Sequence, residues 1–241
     1  MKNHSAETSP LIYARVAGIL YLSMVPLGFF GMYGHSNLFV PGDAVATVTN
    51  IMASESLFRL SIMSALIVQI VNILLVLVLY KLLKPVSRNY AILMVIFFLV
   101  SVPITMLNEL NQFSALQLLS GSDYLAVFRT DQLQTQVMIY LGRHEHGIHI
   151  SGLFWGLWLF PMGYLVFKSG FLPKILGVLL IIGCFGYLID SVRFFFFPSV
   201  EPIVLYTFWG ELLLPLWLLI KGVNVELWEK RILESTRVQT W

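Results

Sequence analysis

The chain has 241 residues, of which 58% are hydrophobic and 12% are charged, and its formal net charge is +2. A soluble domain carries about 25% charged residues, so this composition excludes an ordinary soluble protein, and the small net charge argues against a nucleic-acid partner. A spanning helix needs about 20 mostly apolar residues, so the chain has room for several spans and no large soluble domain.

Six apolar segments of spanning length follow one another along the chain. We therefore predict an all-α membrane protein, with a six-helix membrane domain over residues 1–221 and a tail over residues 222–241. The predicted spans cover approximately residues 11–33, 57–82, 89–118, 138–167, 173–197 and 202–221. Arg15 interrupts the first segment and no cleavage pattern closes it, so we interpret that segment as a retained span. The single cysteine, Cys184, allows no disulfide framework.

The basic residues are distributed unevenly between the two sides of the predicted bundle. The eleven of fifteen that lie on the side of the N-terminus are Lys2, Arg15, Lys81, Lys84, Arg88, Lys168, Lys174, Lys221, Lys230, Arg231 and Arg237. Cytoplasmic loops carry the excess of Lys and Arg, and an even number of spans returns the chain to its starting side. We expect both termini in the cytoplasm.

A short helix is predicted between the first two spans, on the outer side. Asp43 can cap it, and Ala44, Val48, Ile51 and Met52 fall on one helical face. Because this segment is too short to span, we expect it to lie on the interface or to re-enter the membrane.

The fourth and fifth spans are predicted to form an antiparallel hairpin, with Gly170 as a C-cap and Pro173 as the first residue of the next helix. In the tail, Val225, Trp228 and Ile232 lie near one face. This pattern indicates an interfacial helix on the cytoplasmic leaflet, the alternative being a disordered tail.

The functional hypothesis rests on the polar residues inside the spans. Placing an ionisable side chain in hydrocarbon costs free energy, so such residues tend to face the bundle interior. In the third span, Ser101, Thr105, Asn108 and Gln112 form one stripe, with Glu109 beside it. Four prolines, at positions 26, 103, 161 and 215, lie in different predicted spans and would free backbone carbonyls around a cavity.

The fourth span begins with three histidines. His146 and His149 share a face with Gly152 and Gly156, whose small-xxx-small spacing indicates close packing of another helix. His144, between Arg143 and Glu145, is interpreted as part of a solvated collar at the headgroup level.

Charged residues of the remaining spans complete a predicted polar pocket, open to the extracytoplasmic side. Asp190 and Arg193 can pair at i, i+3, with Arg193 also able to snorkel. The candidate pocket residues are Arg59, Asn108, Glu109, Gln112, His146, Asp190, Arg193 and Glu211. We expect this pocket to bind a small ligand, a lipid headgroup or an ion, for sensing, permeation or an accessory role. A purely structural ion-pair network is the alternative.

An enzymatic alternative is a zinc-dependent intramembrane hydrolase acting on a lipid-like substrate. His146, His149, Glu109 and Asp190 would supply the ligands, although no HExxH signature is present. Haem is not expected, because both spanning histidines lie on one helix, and retinal is not expected, because no lysine lies within the bundle. The expected partners are the lipid bilayer and a small-molecule or lipid ligand, and homodimerisation stays open.

Three stretches resemble a known family: "ARVAGILYL" at 14–22, "VPGDAVATVTNIMASESLFRLSI" at 40–62 and "GYLVFKSGFLPKILGVLLIIGCFGYLID" at 163–190. With the intervening "YLAVFRTDQLQ", they are similar to the bacterial membrane-protein family called domain of unknown function 4386. The resemblance implies a multi-pass plasma-membrane protein and supplies no activity to transfer. The residues in or beside its characteristic motifs are Asp43, Glu55, Arg59, His146 and Asp190. His149 and Glu211 lie outside the family pattern, which disfavours the metal alternative.

Overall fold

The computed structural model describes the backbone of residues 9–238 and the side chains of residues 9–32 and 37–235. Within this part of the chain the regular structure is helical, without β-strands. The helices are α1 (Pro10–Leu38), α2 (Ala44–Ala53), α3 (Glu55–Leu83), α4 (Arg88–Leu118), α5 (Thr130–Ser169), α6 (Lys174–Phe196), α7 (Val204–Thr207), α8 (Trp209–Ile220) and α9 (Val225–Val238), and a 3-10 turn covers Asp123–Leu125. The predicted all-α class is confirmed. Lys2 and residues 239–241 of the predicted tail lie outside the described residues.

Among the described helices, α1, α3, α4, α5 and α6 are long and apolar enough to cross a membrane. The sixth predicted span corresponds to α7 and α8, which run over Val204–Ile220 and bend by 104° into Val225–Ser235. A helix from 204 to 220 rises about 25 Å, close to the lower limit for crossing the hydrocarbon core. The described residues therefore form five helices of spanning length, and a sixth if the bent pair is counted as one span.

The chain divides into two compact units whose boundary falls within α1, α3, α4 and α5. Unit 1 comprises the described residues before Met24, Val71–Ser101 and the described residues from Gly152 onward. Unit 2 comprises Met24–Ile70 and Val102–Ser151. Each of these long helices therefore contributes one part to each unit.

In unit 1, α8 packs closely against α1 and α6 through glycines. A Cβ atom at Gly18 of α1 would come within 2.9 Å of the Pro215 carbonyl oxygen, and one at Gly210 within 2.7 Å of the Leu180 nitrogen. These distances are too short for any side chain, so the backbones themselves are in contact, as is typical of helix packing in membranes.

Helices α5 and α6 form the predicted hairpin. Gly170 has a φ of 77° and follows the end of α5, which confirms it as the turn residue. Pro173 is the N-cap of α6, so the first helical residue is Lys174, one position later than predicted. Near the turn, a Cβ at Gly163 would lie 2.7 Å from the Gly177 carbonyl oxygen, so the helices approach closely.

Helix α9 is anchored to the C-terminal ends of two other helices of unit 1. The Trp228 indole donates to the Leu82 carbonyl at 2.8 Å, and the Arg231 guanidinium donates to the carbonyls of Lys168 (3.0 Å) and Ser169 (3.3 Å). These oxygens belong to the last turns of α3 and α5, which lack intrahelical donors. The tail is helical over Val225–Val238 and Trp228 is buried, whereas its position on the cytoplasmic leaflet stays a prediction.

In unit 2, α2 begins where the sequence indicates. The Asp43 carboxylate accepts a hydrogen bond from the Ala46 nitrogen at 2.9 Å, which confirms the N-cap. Val48 and Ile51 are buried as predicted, whereas Met52 is 60% exposed, because the buried face is centred on Ile51. The hydrophobic cluster around α2 consists of Leu38, Val48, Ile51, Phe58, Ile62, Ala115, Leu116, Val137 and Leu141.

Candidate functional site

The polar stripe predicted on α4 is buried in the protein. Its members are Ser101, Thr105, Asn108, Glu109 and Gln112, each no more than 7% exposed. The apolar residues on the other faces of the helix, such as Leu107 and Leu110, are more than half exposed. The helix therefore directs its polar face inward and its apolar face outward, as a helix in lipid must.

Within unit 2, the part of this stripe from Thr105 to Gln112 faces α5 across an antiparallel pairing. The Thr105 hydroxyl donates to Ser151 Oγ at 3.0 Å, and the Asn108 amide donates to the His144 carbonyl at 2.8 Å. One turn further along α4, Gln112 Nε2 lies 2.8 Å from His144 Nε2. As positions on α4 rise from Thr105 to Gln112, their partners on α5 fall from Ser151 to His144, as expected for two antiparallel helices.

A glycine makes room for this pairing. The face of α5 toward α4 presents His144, Gly147 and Ser151, at i, i+3 and i+7. An ideal Cβ atom at Gly147 would overlap the side-chain amide of Asn108. Asn108 can therefore reach the α5 backbone only because position 147 has no side chain.

Four of these residues form a connected group, which we call the α4–α5 polar cluster: Asn108, Glu109, Gln112 and His144. Glu109 Oε1 lies 3.1 Å from His144 Nε2, and Gln112 Nε2 lies 3.0 Å from Glu109 Oε2. The side chains of Glu109 and His144 are 2% and 8% exposed. The cluster places a carboxyl, an imidazole and an amide in mutual contact away from solvent.

Unit 2 provides no fixed cation for Glu109. It contains no lysine, and its three arginines, Arg59, Arg129 and Arg143, are all exposed. In the described part of the chain, His144 is the only ion-pair partner of Glu109. A buried carboxylate without a positive partner is strongly unfavourable, so a negative charge on Glu109 must be balanced by a protonated His144 or by a bound cation.

The interpretation of His144 as part of a solvated collar is wrong, since this side chain is buried against α4. Helix α5 begins at Thr130, two turns earlier than predicted, so the histidine lies well inside a helix. Its neighbours Arg143 and Glu145 are exposed because successive residues point in different directions around the helix. The i, i+3, i+7 pattern of His144, Gly147 and Ser151 was the signal that would have identified it.

His146 lies on the opposite side of α5, where it is exposed. Its ring Nδ1 donates to the Gly142 carbonyl of its own helix at 2.6 Å. Arg59 is likewise exposed and pairs with Glu55, one turn earlier on α3, at 2.7 Å. Neither contact brings these two residues to Asn108, Glu109 or Gln112.

No group of three or more His, Cys, Asp and Glu side chains among the described residues is arranged to hold a metal ion. The four predicted zinc ligands, His146, His149, Glu109 and Asp190, therefore do not form such a group. The histidine that does contact Glu109 is His144. Of the two glycines predicted to allow close helix packing, Gly156 does so, because a Cβ there would lie 2.9 Å from the Tyr187 Cβ of α6, whereas a Cβ at Gly152 would lie 3.7 Å from Ser191 Oγ.

In unit 1, Asp190 and Arg193 meet as predicted, with Arg193 Nε 3.3 Å from Asp190 Oδ1. The Asp190 carboxylate also accepts hydrogen bonds from the backbone nitrogens of Ile203 (2.9 Å) and Val204 (2.7 Å), at the start of α7. The Arg193 guanidinium in turn donates to the Val200 carbonyl. This ion pair therefore fastens the loop between α6 and α7.

Glu211 of α8 belongs to a second polar group of unit 1, with tyrosines from α1 and α6. The Tyr21 hydroxyl donates to Glu211 Oε2 at 3.2 Å, and the Tyr187 hydroxyl also hydrogen-bonds to this carboxyl group. Glu211 Oε1 is buried without a hydrogen-bond partner in the described part of the chain. The indole of Trp158 lies 6.1 Å from the Tyr21 ring, so the surroundings are aromatic.

Comparisons with known proteins agree with the resemblance seen in the sequence. The family model described as Domain of unknown function (DUF4386) matches residues 16–222. A relative from Archaeoglobus fulgidus, named only as an uncharacterized protein, is 34% identical over 162 residues, covering 67% of this chain and 83% of the relative. No solved structure gives a significant match.

Proposed function

Because the chain belongs to the family described as Domain of unknown function (DUF4386), which supplies no activity, we propose a function from the geometry of the α4–α5 polar cluster. The protein is a multi-pass plasma-membrane protein that binds a small cation, either a proton or a monovalent metal ion, at Glu109. Asn108, Gln112 and His144 position this carboxyl group.

The observation that carries this proposal is the isolation of Glu109 from fixed positive charge. The side chain is 2% exposed and unit 2 has no buried arginine and no lysine. Neutralising a carboxylate in such surroundings takes a proton on Glu109, a proton on His144 or a metal ion. Protons and metal ions both come from the water phase. The occupancy of the cluster therefore depends on the concentration of these cations in the surrounding water.

The orientation is part of the same proposal. We propose that both termini lie in the cytoplasm and that α7 and α8 together cross the membrane as the sixth span. The distribution of Lys and Arg supports this orientation, and the close packing of α8 against α1 and α6 supports the sixth span. Asn108, Glu109 and Gln112 then lie toward the outer end of α4, which ends at Leu118, and the cluster exchanges cations with the extracytoplasmic side.

The test measures thermal stability of the full chain purified in dodecyl maltoside micelles. The pH is varied from mildly acidic to mildly alkaline, and sodium chloride is exchanged for choline chloride at constant ionic strength. If a proton is bound, the folded state holds more protons than the unfolded one, so stability falls as pH rises. If sodium is bound, sodium chloride raises the melting temperature.

Glu109→Gln removes the charge at nearly constant shape and should abolish either response. Glu145→Gln, an exposed carboxyl one residue after His144 on the same helix, is the matched control and should retain it. Equal responses of the wild type and Glu109→Gln would overturn the proposal.

A further inference from the structure

We propose that unit 1 contains a second binding site, at Glu211, and that this site takes a phenol, that is, an aromatic ring bearing a hydroxyl group. Its residues come from α1, α4, α5, α6 and α8, and all of them belong to unit 1. The α4–α5 polar cluster belongs to unit 2. The second site therefore goes beyond the cation binding proposed for Glu109 and does not depend on it.

The carboxyl group of Glu211 has one oxygen whose hydrogen bonding is incomplete. The Tyr21 hydroxyl donates to Glu211 Oε2 at 3.2 Å, and the Tyr187 hydroxyl also hydrogen-bonds to this carboxyl group. Glu211 Oε1 is buried and has no hydrogen-bond partner among the described residues. Buried polar atoms nearly always have such a partner. The Oε1 atom therefore marks the position at which the polar group of a ligand binds.

The burial pattern of α8 shows that space is left beside this carboxyl group. Leu214 and Leu218, at i+3 and i+7 from Glu211, share its helical face and are 1% and 0% exposed. One turn before Glu211, Thr207 packs against Gly186 of α6. Glu211 itself stays partly exposed. Because its face is packed against other helices, the exposed part of Glu211 borders a space between helices.

Tyr187 of α6 shows the same pattern. Cys184, Asp190 and Ser191, at i−3, i+3 and i+4, lie on the same face of the helix and are buried. Tyr187 is nevertheless partly exposed. Since its hydroxyl binds the Glu211 carboxyl group, the exposed parts of both side chains border one space. This space is where a ligand would lie.

Aromatic rings surround the carboxyl group. Both tyrosines that bind it also contact a tryptophan: the Tyr21 and Trp158 ring centroids are 6.1 Å apart, and those of Tyr187 and Trp155 are 6.5 Å apart. Trp158 in turn makes an edge contact with Phe98 at 4.6 Å. Aromatic rings pack favourably against a further ring in offset or edge-to-face geometry. The surroundings therefore favour an aromatic ligand.

A hydroxyl group is the polar group that fits Glu211 Oε1. A hydroxyl both donates and accepts a hydrogen bond, so it pairs with this oxygen whether the oxygen offers a lone pair or a hydrogen. A buried water molecule needs about two to four polar partners, and the rings around the carboxyl group offer few. A phenol places its single hydroxyl on Oε1 and its ring among the other rings.

The test measures the melting temperature of the full chain in dodecyl maltoside micelles during titration with para-cresol. Its methyl ether, para-methylanisole, has the same ring without the hydroxyl hydrogen, and cyclohexanol has a hydroxyl without an aromatic ring. A ligand that binds the folded state raises the melting temperature. We expect para-cresol to act at concentrations roughly tenfold lower than either of the other compounds. Equal effects of para-cresol and para-methylanisole overturn the proposal, and equal effects of para-cresol and cyclohexanol overturn the assignment to a phenol.

Glu211→Met replaces the carboxyl group by an apolar side chain of similar length, and it should abolish the preference for para-cresol over its ether. Glu201→Met, at an exposed glutamate of unit 1, is the matched control and should retain the preference. Glu109→Gln should also retain it, so failure of the proposed cation site is distinguishable from failure of this one. Persistence of the preference in Glu211→Met overturns the proposal.

If Glu211→Met does not fold, tryptophan emission locates the ligand instead. Binding of para-cresol should change the emission of Trp158, so the change should be lost in Trp158→Phe. Trp209→Phe, at a side chain of α8 that is 50% exposed, should retain the change. Loss of the change in Trp209→Phe with retention in Trp158→Phe places the ligand elsewhere and overturns the proposal.

Discussion

Asn108 on α4 lies so close to Gly147 on α5 that a single methyl group at position 147 would overlap its side-chain amide. The amide uses this space to donate to the His144 carbonyl at 2.8 Å. A carbonyl of a regular helix already accepts from the nitrogen four residues later, and its second lone pair is available for Asn108. The glycine therefore lets a side chain of one helix bind the backbone of the other.

Substituting Gly147→Ala should force the two helices apart or displace the Asn108 amide. Overpacking of this kind costs about 1–3 kcal/mol, which lowers the melting temperature by several degrees for a chain of this size. Gly142→Ala is the control on the same helix, because a Cβ atom there meets nothing within 4 Å. Equal melting temperatures for the two variants would contradict the close contact. Adding Asn108→Ala removes the overlapping amide and should restore part of the melting temperature lost in Gly147→Ala.

The two tyrosines that hold Glu211 should be separately important for stability. Tyr21→Phe and Tyr187→Phe each remove one hydroxyl from a buried carboxyl group whose Oε1 already has no partner among the described residues. Removing a hydrogen bond from such a buried carboxyl group lowers the free energy of unfolding by about 1–3 kcal/mol. Thermal unfolding in detergent should show a lower melting temperature for either variant.

Tyr206→Phe is the control for these two substitutions. Its side chain lies near the same helix but is 75% exposed, so removing its hydroxyl should leave the melting temperature unchanged. If Tyr21→Phe behaved like Tyr206→Phe, the hydrogen bond to Glu211 would contribute nothing to the fold.

The attachment of α9 should depend on Arg231. Arg231→Gln loses the charged donor that binds the carbonyls of Lys168 and Ser169, at an expected loss of about 1 kcal/mol. Hydrogen exchange of the α9 amides should therefore become about fivefold faster. Lys230→Gln, at an exposed neighbouring position, should leave the exchange unaffected, and a similar acceleration in both variants would show that the carbonyl contacts do not hold the helix.

The orientation is tested by labelling intact cells with a membrane-impermeant maleimide. In a Cys184→Ala background, we expect Ser120→Cys, in the loop after α4, to be labelled from outside. Asn89→Cys, at the start of α4, should be labelled only after permeabilisation. The reverse pattern would contradict the proposed orientation.

The sixth span is tested by Glu229→Cys on α9 in the same assay. We expect it to behave like Asn89→Cys, because an even number of spans places α9 on the cytoplasmic side. Labelling of Glu229→Cys in intact cells, with Asn89→Cys protected, would mean that Val204–Ile220 does not cross the membrane.

Much of the fold follows from local sequence patterns. Runs of apolar residues predicted the helices, since their lengths are set by the thickness of a bilayer. Asp43 and Gly170 predicted a helix start and a helix end because capping and a positive φ depend on single residues. The Asp190–Arg193 pair was predictable for the same reason, since residues three apart on one helix are neighbours.

The candidate site was only half predictable. The stripe on α4 containing Asn108, Glu109 and Gln112 was visible, because polar residues repeat at helical spacing. Its partner His144 was missed, because its sequence neighbours Arg143 and Glu145 suggested an exposed position. Which residue of α5 faces Glu109 depends on how the two helices are shifted along each other. This register is set by close contacts such as that of Gly147 with Asn108.

The anchoring of α9 has a consequence for biosynthesis. Ribosomes make α3 and α5 long before they make Trp228 and Arg231, which bind the carbonyls at the ends of both helices. Until α9 emerges, those oxygens can bind only water or lipid headgroups. The carbonyls at the ends of α3 and α5 therefore gain their partners only after α9 is synthesised. A nascent chain arrested before residue 225 would enter the membrane with these helix ends uncapped.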